Sequence, residues 1–176
     1  MLTKDTIMRA LTMLGAVLMN ENLSGEILLT GGAAMCLVHS ARDMTKDIDA
    51  LYEPKNEINN IAKRIAELEG LPEGWLNDSV KGFIAEGAPV DDFMVLDGLK
   101  ITVVAPEYLL SMKLMSARYG ETDADDIRFL FKKLHIKTEE EAYAILTRFY
   151  PVDRILPKTM YVIQECISWI NQNHVL

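Results

Sequence analysis

Apolar residues recur at helical spacing through residues 4–21, where Ile7, Leu11, Leu14, Val17 and Leu18 fall on one stripe. Asn20, Asn22, Ser24 and Gly25 then mark a loop. The apolar run Glu26–Thr30 reads as a strand and stops abruptly at Gly31-Gly32. A short helical stretch is predicted over Ala33–Ser40, followed by a polar connection, Ala41–Lys46. A second strand-like run opens Asp47-Ile48-Asp49 and continues through Tyr52 until Pro54 breaks it. Ile58, Ile61, Ile65 and Leu68 form another helical stripe, which ends at Gly70 with Pro72 beyond. The segment Gly74–Gly87 has no clear period, and Trp75 and Phe83 are expected to cover the edge of the core there. Asp97-Gly98 between the apolar runs Phe93–Leu96 and Leu99–Val104 is a strong hairpin signal.

From Pro106 onward the pattern is helical throughout. Pro106 suits a first helical position, and Thr122 can cap a helix that starts near Asp123. Thr138 with Glu141 makes a capping box for the next helix. Pro151 and Pro157 set off a last helix striped by Met160, Ile163, Cys166, Ile167 and Ile170. The order predicts an α/β (α+β) protein: a mixed sheet of about four strands flanked by helices in residues 1–105, and a helical subdomain in 106–176 packed on that core.

Composition narrows the class without changing this outline. A chain of 176 residues with 49% apolar and 25% charged residues is ordinary for a globular protein able to bury a substantial core. Charges break the apolar runs well short of a membrane span, and the N-terminal stretch lacks a signal-peptide layout, so a cytoplasmic protein away from membranes is expected. Cys36 and Cys166 lie in apolar helical contexts and read as buried free thiols. The net charge of −8 argues against nonspecific binding of DNA. One basic cluster, Arg128, Lys132, Lys133, His135 and Lys137, reads more simply as a solvated helix C-terminus than as an RNA-contacting patch. His39, His135 and His174 lack zinc-ligand spacing, and the ten methionines read as core filler. Neither a phosphate-binding P-loop nor a dinucleotide fingerprint is present.

The candidate chemistry lies in Leu28–Asp49. Alternation along a strand sends Asp47 and Asp49 to one face, about 7 Å apart at Cα, and Ile48 to the other. Two carboxylates so placed can share one or two divalent ions that favour oxygen ligands, Mg2+ or Mn2+. Gly31 and Gly32 permit close approach of backbone to a ligand, and the helix N-terminus beyond them offers free N–H groups to phosphate. Thr45 adds a hydroxyl and Lys46 a positive charge just before the acids. Asp-x-Asp alone is commonly a solvated strand end and Gly-Gly alone a loop. Joined through one helix, and each attached to a strand, they suit a metal-bound nucleoside triphosphate.

Gly31-Gly32, one helix, then Thr45-Lys46-Asp47-Ile48-Asp49 resembles the nucleotidyltransferase superfamily, with its polymerase-beta-like fold. Together with Leu71–Asp78 and Pro106–Leu130, the chain looks like a small prokaryotic nucleotidyltransferase-like group related to AbiEii-type abortive-infection toxins. The resemblance implies Mg2+-dependent transfer of a nucleoside monophosphate from a nucleoside triphosphate to an acceptor (protein, tRNA or small molecule), in a toxin–antitoxin or phage-defence setting. Asp47 and Asp49 would hold the metal, and Gly31, Gly32, Thr45, Lys46 and Lys113 the nucleotide.

Lys113 lies within about 60° of Leu110 on a helical wheel, on a face that should be buried. Asp123 and Asp126 continue the stripe Ile127, Leu130, Phe131 and Leu134 backward by one turn, whereas Asp125 does not. Helix capping explains these acids simply. The resemblance instead brings Lys113 to the triphosphate and Asp126 to the rim of the site, with Arg118 and Asp123 paired to each other. The superfamily's third carboxylate has no clear counterpart, Asp92 and Asp97 being the candidates. That departure supports a second reading, a nucleotidyltransferase fold without catalysis that serves as a binding module or antitoxin. A third reading, a helical adaptor, leaves the pairing of Gly-Gly with Asp-x-Asp unexplained.

Overall fold

The computed structural model describes residues 1–85, 87–117 and 123–173. Arg118, Thr122 and His174, singled out above, lie outside the described residues. The chain divides into two compact units, Met1–Val104 and Ala105–Leu176.

In the first unit, Thr3 caps helix α1 (Lys4–Asn20) by accepting from the Thr6 N–H at 3.2 Å. Ile7, Leu11, Leu14 and Leu18 are buried along its inner stripe. Gly15 lies against the carbonyl of Asp97, where any Cβ would collide, so this glycine is what lets the helix close onto the hairpin. Strand β1 (Leu2–Thr3) pairs antiparallel with β3 (Met44–Thr45). The main sheet also contains β2 (Gly25–Leu29), β4 (Ile48–Glu53), β5 (Leu76–Asn77), β6 (Val90–Leu96) and β7 (Leu99–Val104). Its order is β5-β4-β2-β7-β6, mixed in direction. β2 runs antiparallel to β4 and parallel to β7. Strand β6 ends the sheet, and its register against β7 slips between Asp92 and Met94, leaving Phe93 as the extra residue of a bulge.

Alternation sets the two faces of the sheet. Ile48, Ala50 and Tyr52 of β4 are buried with Ile27 and Leu29 of β2, while Asp49 and Leu51 take the other face. After the short helical turn α2 (Gly31–Ala33), helix α3 (Lys55–Glu69) buries Ile58, Ile61, Ala62 and Ile65 and stops at Gly70, whose φ of 64° needs the freedom of glycine. Leu68, expected in that stripe, is 76% exposed because the apolar face has rotated past it by the last turn. Trp75 is buried as expected, and its Nε1–H donates to the carbonyl of Ala62 at 2.9 Å. Phe83 departs from expectation: it follows the 3-10 turn Ser79–Gly82 and lies in solvent.

The second unit is helical: α4 (Pro106–Ser116), α5 (Asp123–Lys133), α6 (Glu139–Phe149) and α7 (Pro157–Asn173). Pro106 takes the first turn of α4, and Thr138 with Glu141 forms the full capping box of α6. Tyr108 of α4 meets Phe149 of α6 edge-on, with ring centroids 5.1 Å apart. Arg128 and Lys132, two of the five members of the basic cluster, each lie 4.8 Å from the centroid of the Trp169 ring. They are thereby engaged on α7 through cation–π contacts. Cys36 and Cys166 are buried free thiols. Among the described residues, no helix is long and apolar enough to cross a membrane.

Candidate active site

The site in the first unit begins where β2 ends. Gly31 adopts φ +56°, the left-handed region, and a Cβ built there would stand 3.0 Å from Asp49 Oδ2. The turn carrying Gly31 and the Asp49 carboxylate are therefore in direct apposition. Their backbones are tied as well, the Thr30 N–H donating to the Asp49 carbonyl at 3.1 Å. At Gly32 the room for a Cβ is taken by the Arg42 guanidinium and the Thr45 hydroxyl. A side chain larger than hydrogen at either position would displace the polar groups the turn gathers. Beyond it the chain forms one α-turn, Gly31–Ala33, and then widens into a π-helix, Ala34–Val38. The first N–H groups of that turn have no acceptor within the helix.

Asp47 stands one residue before β4 and Asp49 on its second position, so both leave the sheet on the same side. Two neighbours from the edge strand and the turn after it support them. Asn77, opposite Asp49 in the register, donates to Asp47 Oδ2 at 3.5 Å. The Ser79 hydroxyl lies 3.0 Å from Asp49 Oδ1 and 2.6 Å from Asn77 Oδ1, one proton serving two acceptors. Burial, and then the charge of Asp49, push the Asp47 carboxyl above the ordinary aspartate range, against the pull of Lys46 and Asn77. A divalent cation would relieve this repulsion. The donor set is two carboxylates with hydroxyl and backbone groups around them, which fits Mg2+, an ion commonly held by one or two carboxylates plus substrate phosphates.

The raised pKa of Asp47, set first by burial and then by the charge of Asp49, has a measurable consequence in the ligand-free protein. Because the folded-state pKa of Asp47 is raised above its unfolded value, the native state holds the proton longer. Stability is then lost as pH rises through the folded pKa. Asp47→Asn is expected to remove that slope, so its stability advantage over wild type grows from acidic pH upward and levels off above the folded pKa. Urea midpoints measured from pH 3.5 to 7.5 without divalent ions check this; a constant difference across the series would contradict it.

The remaining candidates fall elsewhere. Asp92 lies on β6, three strand spacings or about 14 Å from β4, with its side chain 86% exposed and 3.3 Å from Lys100. Asp97 turns the hairpin at the end of the sheet where Leu99 pairs with Gly25, remote from Gly31. Among the described residues, no group of three or more His, Cys, Asp or Glu side chains is gathered to hold a metal ion. Lys113 and Asp126 belong to the second unit. There Lys113 is buried, as its helical face predicts, 2.7 Å from Asp126 Oδ2 and 3.0 Å from Asp123 Oδ1. Asp125 points outward to Arg128.

A cleft of about 580 Å3 runs between α3 and the 71–78 loop. Tyr52 and Leu76 of its lining belong to the sheet face opposite Asp49, and it reaches the neighbourhood of the acids only through Asn77 and Asp78, so it is not the place where a phosphate would meet Asp47 and Asp49.

Three residues of the site carried no role in the sequence reading. Arg42 sat inside a polar connection, and Asn77 and Ser79 in a segment without period. The one signal was that Asn77 falls within the Leu71–Asp78 stretch shared with the family resemblance. Comparison with protein-family models, with curated proteins and with solved structures gave no match. The chain is thus defined by its architecture, an α+β protein with a five-stranded mixed sheet and a helical second unit, and by the chemistry of its site.

Proposed function

We propose that the chain is a Mg2+-dependent nucleotidyltransferase, moving a nucleoside monophosphate from a nucleoside triphosphate to an acceptor hydroxyl. The observation that carries this reading is the apposition of the left-handed Gly31 to the Asp49 carboxylate, with Arg42 and Thr45 crowded over Gly32. A glycine turn with free N–H groups, a guanidinium and a hydroxyl suit phosphate oxygens. Two carboxylates with mutually unfavourable charge suit a divalent cation. In one step the acceptor oxygen bonds to the α-phosphorus while the bond to pyrophosphate breaks, and the acceptor's proton passes to solvent. Asp47 and Asp49 would hold the cation, which when bound would offset charge on the phosphoryl oxygens. Asn77 and Ser79 orient the two carboxylates, while Arg42, Thr45, Lys46 and the Gly31-Gly32 backbone position the phosphates. Lys113 and Asp126, which the resemblance also assigns to catalysis, satisfy each other's charge within their own unit.

The second reading, a binding module without catalysis, is favoured by the placement of Asp92 and Asp97 far from the pair. Incubating the protein with α-labelled nucleoside triphosphates, Mg2+ and a cell lysate separates the two. Transfer of label to a discrete acceptor, lost in Asp49→Asn, is the expected result. Tight nucleotide binding without transfer of label from any of the four nucleotides would establish the binding module instead.

A further inference from the structure

The cleft between α3 and the 71–78 loop takes no part in the chemistry proposed at Asp47 and Asp49. It holds about 580 Å3, and every residue that lines it belongs to the first unit. Room exists there because Ala62 and Ala66, one turn apart on α3, present nothing beyond Cβ to the facing loop. Tyr52, Ala62, Trp75 and Leu76 are buried and form its floor, while Lys63, Glu67, Glu73 and Gly74 are exposed and form its rim. Trp75 Nε1–H donates to the Ala62 carbonyl at 2.9 Å, which ties the loop wall to the helix wall. An apolar hollow with a few polar groups at fixed places is the usual form of a small-molecule site.

The polar groups differ between floor and rim. At the floor the Tyr52 hydroxyl donates to Asn59 Oδ1 at 2.7 Å. Burial, and then the charge of Asp78, push that phenol above the ordinary tyrosine range, so it stays protonated. Its oxygen keeps capacity to accept, and the Asn59 amide N–H groups have no acceptor among the described residues. A ligand hydroxyl arriving there can donate to one and accept from the other. The rim is acidic. Glu67 stands on the helix wall and Glu73 on the loop wall, and neither has an ion-pair partner among the described residues. Lys63 can offset only one of them, and Asp78 is already paired with Lys55.

From this cleft we infer a binding site for a small organic cation, a protonated amine joined through an apolar stem to a hydroxyl. The ammonium is held at the rim by Glu67 and Glu73, the stem lies along Ala66 and Leu71, and the hydroxyl meets Tyr52 and Asn59. The site stands whether or not the chain transfers nucleotides.

The probe is tyramine, titrated into the full chain at low ionic strength, where rim charges are least screened. The readout is the NMR resonance of the Trp75 Nε1–H. Tyrosol and 4-hydroxyphenylacetate, neutral and anionic molecules of similar size, are titrated in parallel. The Trp75 signal is expected to move saturably with tyramine, while that of Trp169, on α7, stays in place. Tyramine should bind at least about tenfold more tightly than 4-hydroxyphenylacetate, the scale of one charged contact, with tyrosol between them. Changing Glu67→Gln and Glu73→Gln together should remove that preference, and Ala66→Met, which fills the gap, should abolish binding. The two glutamates are exposed, so their double variant keeps its fold and carries the test even if Ala66→Met does not. A Trp75 signal unmoved by millimolar tyramine would overturn the site. Equal affinity for the three probes, or tyramine binding undiminished in the double glutamine variant, would overturn it as well.

Discussion

Lys113→Met is expected to lose about 3–5 kcal/mol of stability, the scale for removing one partner of a buried ion pair. Lys113 and Asp126 are 8% and 4% exposed at their side chains and 2.7 Å apart, with Asp123 completing the group at 3.0 Å. Methionine fills the volume of the lysine stem but removes the ammonium that faces the buried Asp126 carboxylate. Adding Asp126→Leu should restore most of the loss, because removing both partners leaves no stranded charge. Denaturant midpoints of wild type, single and double variants form the check. A Lys113→Met protein as stable as wild type, but impaired in triphosphate affinity, would instead make the lysine a phosphate ligand and the carboxylates its exchangeable partners.

The second large effect concerns the ligand. A nucleotide that binds only the folded chain stabilises it by about 2.7 kcal/mol at a hundredfold excess over Kd, which for a protein of this size raises the melting temperature by roughly 5–10 °C. The rise should require Mg2+ and triphosphate together, since each alone leaves either the acids or the phosphates uncompensated. Asp47→Asn should abolish it while leaving the fold intact. Absence of any shift in wild type at millimolar Mg2+ and nucleotide would contradict nucleotide binding at this site.

What could be read from the sequence was what is encoded locally. Asp97-Gly98 announces its hairpin, Thr138 and Glu141 their capping box, and the spacing of Lys113 from Leu110 its buried face. The strand that leads into Gly31 and the strand that bears Asp49 were legible because each is a continuous apolar run with a breaker. The two-residue strands β1, β3 and β5 were not, because their pairing depends on partners 28 to 43 residues away in the register and leaves no period of its own. Arg42 and Ser79 were missed for the same reason. A polar residue in a loop declares nothing until the fold lays it over Gly32 or beside Asp49. Phe83 is the opposite case, an aromatic whose type suggested burial and whose surroundings provide none.

The slipped register of β6 bears on how copies of the molecule behave toward one another at high concentration. An outermost strand offers its outward N–H and C=O groups to any extended chain it meets, and a seven-residue strand containing Phe93, Met94 and Val95 would be an effective template. The bulge at Phe93 bends that ladder, and the exposed Asp91 and Asp92 place negative charge along it. A second copy approaching edge to edge would meet a curved strand and like charges, both of which disfavour growth of the sheet from molecule to molecule.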